Sequence, residues 1–310
     1  MAPFRFGVNA LRAASRAEWL DNARKVEDLG YAVLGVPDHL SERLAPFPAL
    51  VSAASVTTTL RIATTVLNND FRHPVLLARE AATIDLLTDG RLELGMGAGY
   101  MKAEYEQAGL PFDLGGARVE RLAEAVVIVK RLLAGEPVTF AGRHYRVTDH
   151  VIYPRPVQQP RPPLLIGGNG PRLLTLAANE ADIVGLTGIT FRRGGTAPDL
   201  SGGKATVVDE RIRYIREAAR ERFERLELNA LVQRVIVTDD RRQAAEELAR
   251  TWTALSPDEI LASPYALIGT VDEMVEDLEA RRRRWNISYI LTHEPYREAL
   301  APVVARLTGR

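Results

Sequence analysis

Short apolar runs alternate along the chain with longer stretches whose apolar residues recur every three or four positions. Phe4 to Val8 reads as a strand. The helix after it opens with Ser15 and Glu18 in capping-box spacing and carries Trp19, Ala23 and Val26 on one face. Ala32 to Val36 is a second strand, followed by a helix from about Phe47 to Thr58. Ile62 to Leu67 is the third strand. Pro74 suits the first turn of the next helix, and Gly90 follows its end. Leu92 to Met96 is the fourth strand. These strands begin roughly thirty residues apart, the length of one strand–helix–strand step.

A long helix is predicted over Ala117 to Leu133, with Val119, Leu122, Ala123, Val126 and Leu133 along a stripe and Gly135 at its end. From Glu136 to Pro163 the rhythm breaks: PVTFAGRHYRV has the look of a hairpin, and PRPVQQPRPP is a proline-rich connector. Alternation resumes with a fifth strand at Leu164 to Ile166, then GGNGPR and a helix, then a sixth strand at Ala181 to Leu186. Gly188 to Lys204 is glycine-rich and irregular and contains Arg192 and Arg193; a segment of that length inside a compact domain reads as a lid. A helix from Thr206 to about Phe223 precedes a seventh strand, Asn229 to Val237. Capping-box spacing at Ser256 to Glu259 and at Thr270 to Glu273 marks two further helix starts. Ile287 to Leu291 is the eighth strand, and a helix over Pro295 to Leu307 closes the chain.

Eight strands alternating with helices fit an α/β fold of the (β/α)8 TIM-barrel type. The expectation is one barrel domain over residues 1–310, with an excursion at about 136–163 and a lid-like insertion at about 188–204. Forty basic residues balance forty acidic ones, so neither nucleic acid nor an anionic membrane is favoured as a partner. The basic cluster Arg281 to Arg284 reads as a solvated helix face, because Asp277 and Glu279 stand four residues before Arg281 and Arg283. Cysteine is absent, which removes disulfides, thiolate nucleophiles and thiolate-bound metals. The five histidines lack metal-site spacing, and no metal is expected. No segment has the apolar length of a signal peptide or a bilayer span, so the expected location is the cytoplasm.

In a barrel of this kind the active site lies at the C-terminal ends of the strands. The residues there are Asn9, Asp38, His39, Thr65, Val66, Asn68, Gly97, Ala98, Gly99, Tyr100, Gly167 to Gly170, Thr187, His293 and Glu294. This ring is polar, glycine-rich and poor in carboxylates. It offers neither the two facing acids of a glycosidase nor a set of metal ligands. Glycines at 95, 97 and 99 remove side chains from one wall, which suits a flat ligand lying against backbone or simply a tight strand-to-loop transition. A planar organic cofactor carrying the reactivity fits such a ring. His39 is the sharpest acid–base candidate, since an imidazole can pass a proton near neutral pH. Gly167-Gly168-Asn169-Gly170 before a helix offers N–H groups to an anion.

The motifs FGVNA, EDLGYAVLGVPDHL, RIATTVL, HPVLLAREAATIDLLTDGRLELGMGAGY, PLLIGGNG, EADIVGL and LIGTVDEMVEDL follow the order of bacterial luciferase-like proteins. The chain resembles that family over essentially its whole length, and Pro37-Asp38-His39 makes it similar to the branch that uses the deazaflavin coenzyme F420. The resemblance implies a homodimer or higher homo-oligomer and a flavin or deazaflavin lying across the strand mouths. It implies a non-prolyl cis peptide at Thr65–Val66, give or take one residue. It also implies that Asp38, with Thr65, Val66 and Asn68, contacts the ring, that His39 faces the reacting centre, and that Gly97, Ala98 and Gly99 flank the ring. Gly167, Gly168 and Asn169 meet the phosphate-bearing side chain. Sugar-phosphate dehydrogenases of the branch carry a glutamate proton donor directly after the second glycine of the Gly97-Ala98-Gly99 stretch, where this chain has Tyr100. The acid is therefore His39 or Tyr100. The implied function is an oxidoreductase moving a hydride between F420 and a small organic substrate. The alternatives are an FMN-dependent monooxygenase and a non-catalytic flavin-binding protein.

Overall fold

The computed structural model describes residues 2–41, 43–188, 190–191 and 198–310. Eight parallel strands form the frame: β1 Arg5–Asn9, β2 Val33–Val36, β3 Arg61–Thr64, β4 Leu92–Gly97, β5 Leu164–Gly167, β6 Ile183–Leu186, β7 Glu227–Val232 and β8 Ile287–His293. Each pairs with its sequence neighbours, and β8 returns to pair with β1, so the ring closes. This is the expected (β/α)8 barrel. No helix among the described residues is long and apolar enough to cross a membrane.

The barrel interior is packed. Val33, Ala63, Leu165, Ile183, Tyr289 and Leu291 fill it, with the partly buried Val66 and Leu231 resting on them. Below this layer, at the N-terminal ends of the strands, charge replaces apolar packing. The Arg5 guanidinium donates to Glu93 at 2.5 Å and to Glu227 at 2.6 Å and lies 3.8 Å from the Tyr289 ring centroid. Arg61 donates to Glu93 at 2.7 Å. Glu93 is buried, so these two cations compensate a carboxylate that isolated burial would neutralise. The bottom of the barrel is thus sealed by ion pairs.

Three departures from the sequence-based expectation have physical causes. The run predicted as one strand from Asn229 to Val237 is cut at Gln233, whose N–H donates to the Tyr265 carbonyl at 2.8 Å. Arg234–Val237 then leaves the barrel and pairs in parallel with Ala266–Gly269, a strand that periodicity does not reveal. A satellite core of Ala245, Leu248, Trp252, Leu255, Ile260, Ala266 and Ile268 covers this pair. The short helix Lys102–Gln107 is also unforeseen, being too brief for a periodic signal. Finally, the basic cluster is not uniformly solvated: Arg281 is buried, donates to the Ala266 carbonyl at 2.8 Å, and burial lowers its pKa to about 10. The excursion does contain the predicted hairpin, Val138–Ala141 against Arg146–His150. Arg192 and Arg193 lie outside the described residues.

Between β3 and the two-residue strand Leu67–Asn68 the chain turns inward, with a cis peptide bond at Thr65–Val66 where the resemblance implied one. This turn explains the strand-four glycines. A Cβ on Gly95 would lie 1.9 Å from the Thr64 carbonyl oxygen, and one on Gly97 would lie 2.6 Å from a Val66 methyl. The Thr64 hydroxyl completes the join, accepting from the Gly95 N–H at 2.7 Å and donating to the Gly95 carbonyl at 2.9 Å. Gly95 and Gly97 are therefore small because protein atoms press against them. Gly95→Ala is expected to lose about 3 kcal/mol, the upper range for overpacking a rigid site. Gly115→Ala, whose Cβ meets only Arg118 at 4.0 Å on a helix, keeps or gains stability. Urea midpoints of the two variants check the contrast.

Candidate active site

The open end collects side chains from several strand termini. Asn9, the last residue of β1, is buried, and its Oδ1 accepts from the Thr65 hydroxyl at 3.0 Å. Val66 is half-buried, as are Gly167, Gly168 and Asn169 after β5. Together they make a floor whose centre is apolar and whose edge is backbone and amide. Asn169 Oδ1 accepts from the Thr187 N–H at 3.4 Å, tying the loops after β5 and β6 together.

Asp38 follows β2 and is buried. Both of its oxygens receive the Arg72 guanidinium, and Oδ2 also accepts from the Asn68 N–H at 3.1 Å. Its own N–H donates to the Val66 carbonyl at 3.4 Å. Asp38 thus pins the turn at Thr65–Val66 from outside, and one of a carboxylate's roughly four acceptor positions stays unused by these contacts. Asn68 is held from its other side by the Tyr105 hydroxyl, which donates to its Oδ1 at 2.9 Å. Gly99 permits this approach: its φ is +70°, and a Cβ there would lie 2.1 Å from that hydroxyl.

The next residue, His39, makes a contact that the sequence alone does not reveal. Its Nδ1 lies 3.0 and 3.1 Å from the two carboxylate oxygens of Glu104, and its Nε2 lies 3.3 Å from the Tyr100 hydroxyl. Glu104 is buried on the short helix Lys102–Gln107. The mouth described as poor in carboxylates therefore gains one in addition to Asp38, delivered by this short helix. Its only signal in sequence was an acidic residue in the unassigned stretch after Tyr100. Tyr100 as a residue is 42% exposed, but its hydroxyl is turned toward His39. Burial of that hydroxyl raises its pKa, with Glu104 adding to the rise and Arg43 opposing it.

His293 ends β8 on another part of the rim, with its Nε2 3.1 Å from Gln233 Oε1. Burial first, then the cations Arg234 and Arg43, lower its pKa to about 4. The structure brings His39 and Tyr100 into contact, joins Asp38 to Asn68, and sets Thr65 and Val66 on the floor. Gly97, Ala98 and Gly99 line the wall that leads from β4 to Tyr100. His293 is separate from the His39 group, and its partner Gln233 was not foreseen.

This geometry defines a class: a TIM barrel with a flat, partly apolar floor at its mouth and a buried acid–base pair beside it. A model of the family described as luciferase-like monooxygenase matches residues 1–288, and the chain belongs to that family. It is 30% identical over 300 residues to the F420-dependent glucose-6-phosphate dehydrogenase of Nakamurella multipartita, covering 92% of this chain and 84% of that one. Among solved structures it is similar to the coenzyme F420 dependent tetrahydromethanopterin reductase from Methanopyrus kandleri, at a TM-score of 0.78 and 19% identity over 99% of each chain. It is also similar to a monooxygenase from Streptomyces bottropensis, at a TM-score of 0.73 and 22% identity over 98% of this chain and 97% of that one.

His293 yields a pH prediction. Its folded pKa of about 4 lies below the ordinary 6.5, so the unfolded chain binds more protons between those values. The stability it contributes is present above pH 6.5 and is lost as pH falls toward 4. His293→Gln is expected to flatten that part of the stability profile by about 2 kcal/mol, read from urea midpoints across the range.

Proposed function

We propose that the protein is an oxidoreductase that transfers a hydride between coenzyme F420 and a small organic substrate. The observation that carries this reading is the 30% identity to an F420-dependent dehydrogenase over 92% of the chain. The mouth fits the group: Val66 is half-buried at its centre, and the surrounding positions are glycine backbone and amides, a donor set for a planar heterocycle. Val66 and Thr65 back the ring, Asp38 and Asn68 meet its polar edge, and Gly97, Ala98 and Gly99 flank it. Gly167, Gly168 and Asn169 take the phosphate-bearing chain, next to the helix Pro171–Glu180. The cofactor supplies the hydride chemistry. His39 exchanges the proton that accompanies it, and pre-organised placement of substrate over the floor supplies much of the remaining rate.

The working unit in this reading is one barrel domain over residues 1–310, with the excursion and the lid as insertions, acting in the cytoplasm. Leu76 and Leu87 are 55% and 65% exposed and stand about three turns apart on one helix face, which supports a homodimer.

Binding decides between cofactors. Fluorescence titration is expected to show F420 binding that FMN does not displace. Oxygen consumption with reduced FMN, together with no response to F420, overturns the reading in favour of a flavin monooxygenase. His39→Ala is expected to keep F420 affinity and to lose about 10²-fold in turnover, the usual worth of one acid–base group. Full turnover in that variant removes its proton role.

A further inference from the structure

We infer that Glu104, His39 and Tyr100 form a three-membered proton relay in which the Tyr100 hydroxyl meets the substrate oxygen and Glu104 is the positioning residue. This rests on the reading of the mouth as a hydride-transfer site. The geometry is directional. A carboxylate only accepts hydrogen bonds, so two oxygens at 3.0 and 3.1 Å require the proton to sit on His39 Nδ1. In the neutral imidazole Nε2 then keeps its lone pair, and the Tyr100 hydroxyl at 3.3 Å is the group that donates to it. The imidazole and phenol rings meet edge to face, with centroids 5.6 Å apart and an interplanar angle of 80°.

Burial and exposure divide the roles. The Glu104 side chain is 6% exposed and that of His39 12%, whereas Tyr100 is 42% exposed at the rim. Of the three residues, Tyr100 is the most open to an arriving substrate. Glu104 cannot reach the reacting atoms except through the imidazole. The phenol is also a poor base alone. Its pKa is raised by burial and by Glu104, and Arg43 reverses this only in part, so it stays protonated until another group takes its proton. His39 Nε2 is that group.

With an alcohol as substrate, bound F420 would supply the hydride acceptor for the electron pair of the breaking carbon–hydrogen bond. The alcohol's O–H proton moves to Tyr100 Oη while the Tyr100 proton moves to His39 Nε2. A carbonyl forms, and the imidazolium is stabilised by the Glu104 carboxylate at 3.0 Å. Reduction of a carbonyl runs the same transfers backwards. The oxygen-bound proton that the sugar-phosphate branch handles with one glutamate is here handled by a phenol with a carboxylate two groups away.

The test reads the imidazole directly and needs no cofactor. Protein labelled with 15N-histidine is studied by NMR at neutral pH, with His39 assigned by signal loss in His39→Asn. Expected are a protonated Nδ1 and a bare Nε2 in the wild type, an altered Nε2 shift in Tyr100→Phe, and loss of Nδ1–H predominance in Glu104→Gln. An Nε2–H tautomer in the wild type, or a Glu104→Gln spectrum unchanged from it, overturns the relay. Turnover is measured with F420 and either glucose 6-phosphate or 2-propanol. Each single variant is expected to lose about 10²-fold in kcat with the KM for F420 within about twofold, and the double variant to lose no more than Tyr100→Phe does alone. Multiplying losses overturn it. Failure to bind F420 at all defeats the proposed function, while the NMR spectra still decide the tautomer and the hydrogen-bond order of the relay.

Discussion

The site depends on one close approach: the Thr64 carbonyl and the Val66 side chain enter the wall of the barrel where β4 has no Cβ atoms. Any side chain at Gly95 would occupy the space of the Thr64 oxygen. With glycine there, the turn at Thr65–Val66 drops inward, and Val66 comes to rest on the apolar layer of Val33, Ala63, Leu165, Ile183, Tyr289 and Leu291. The Asp38–Arg72 pair holds that turn from behind and fixes Asn68. Because Asp38 and His39 are adjacent, the same clamp sets where the imidazole stands. The floor and His39 are therefore positioned together.

The two ends of the barrel use charge differently. At the closed end, Arg5 and Arg61 bracket a buried Glu93, and the pairing lets carboxylate and guanidinium sit in a poorly solvated place. At the open end, Glu104 is paired with a titratable imidazole instead of an arginine. An arginine stays protonated at any working pH, whereas histidine exchanges its proton near neutrality. The first arrangement suits closure and the second suits proton transfer. His293, kept neutral by burial beside Arg234 and Arg43, extends the polar rim as an uncharged imidazole.

The resemblance implied that sugar-phosphate dehydrogenases carry a glutamate directly after the position of Gly99, and this chain has Tyr100 there. The structure restores a carboxylate from one helical turn further on, through Glu104 and His39. Hydride transfer to or from a carbon that bears an oxygen needs a partner for the oxygen's proton. In the proposed relay, a phenol backed by an imidazole and a carboxylate would answer that need.

Much was readable from the chain alone, because the barrel is written in local periodicity. Apolar runs at thirty-residue intervals and capping residues such as Ser256 and Thr270 act over a few positions, and the structure carries them where expected. The cis peptide at Thr65–Val66 was legible only through family resemblance. What periodicity could not carry was the path of loops. Glu104 reaches His39 across 65 positions because Gly99 turns the chain at positive φ and the Tyr105 hydroxyl anchors it to Asn68 and Asp70. The break at Gln233 likewise depends on a carbonyl from Tyr265, and the burial of Arg281 on one from Ala266. Such contacts arise between groups that are strangers in sequence, so only the packed tertiary structure decided them.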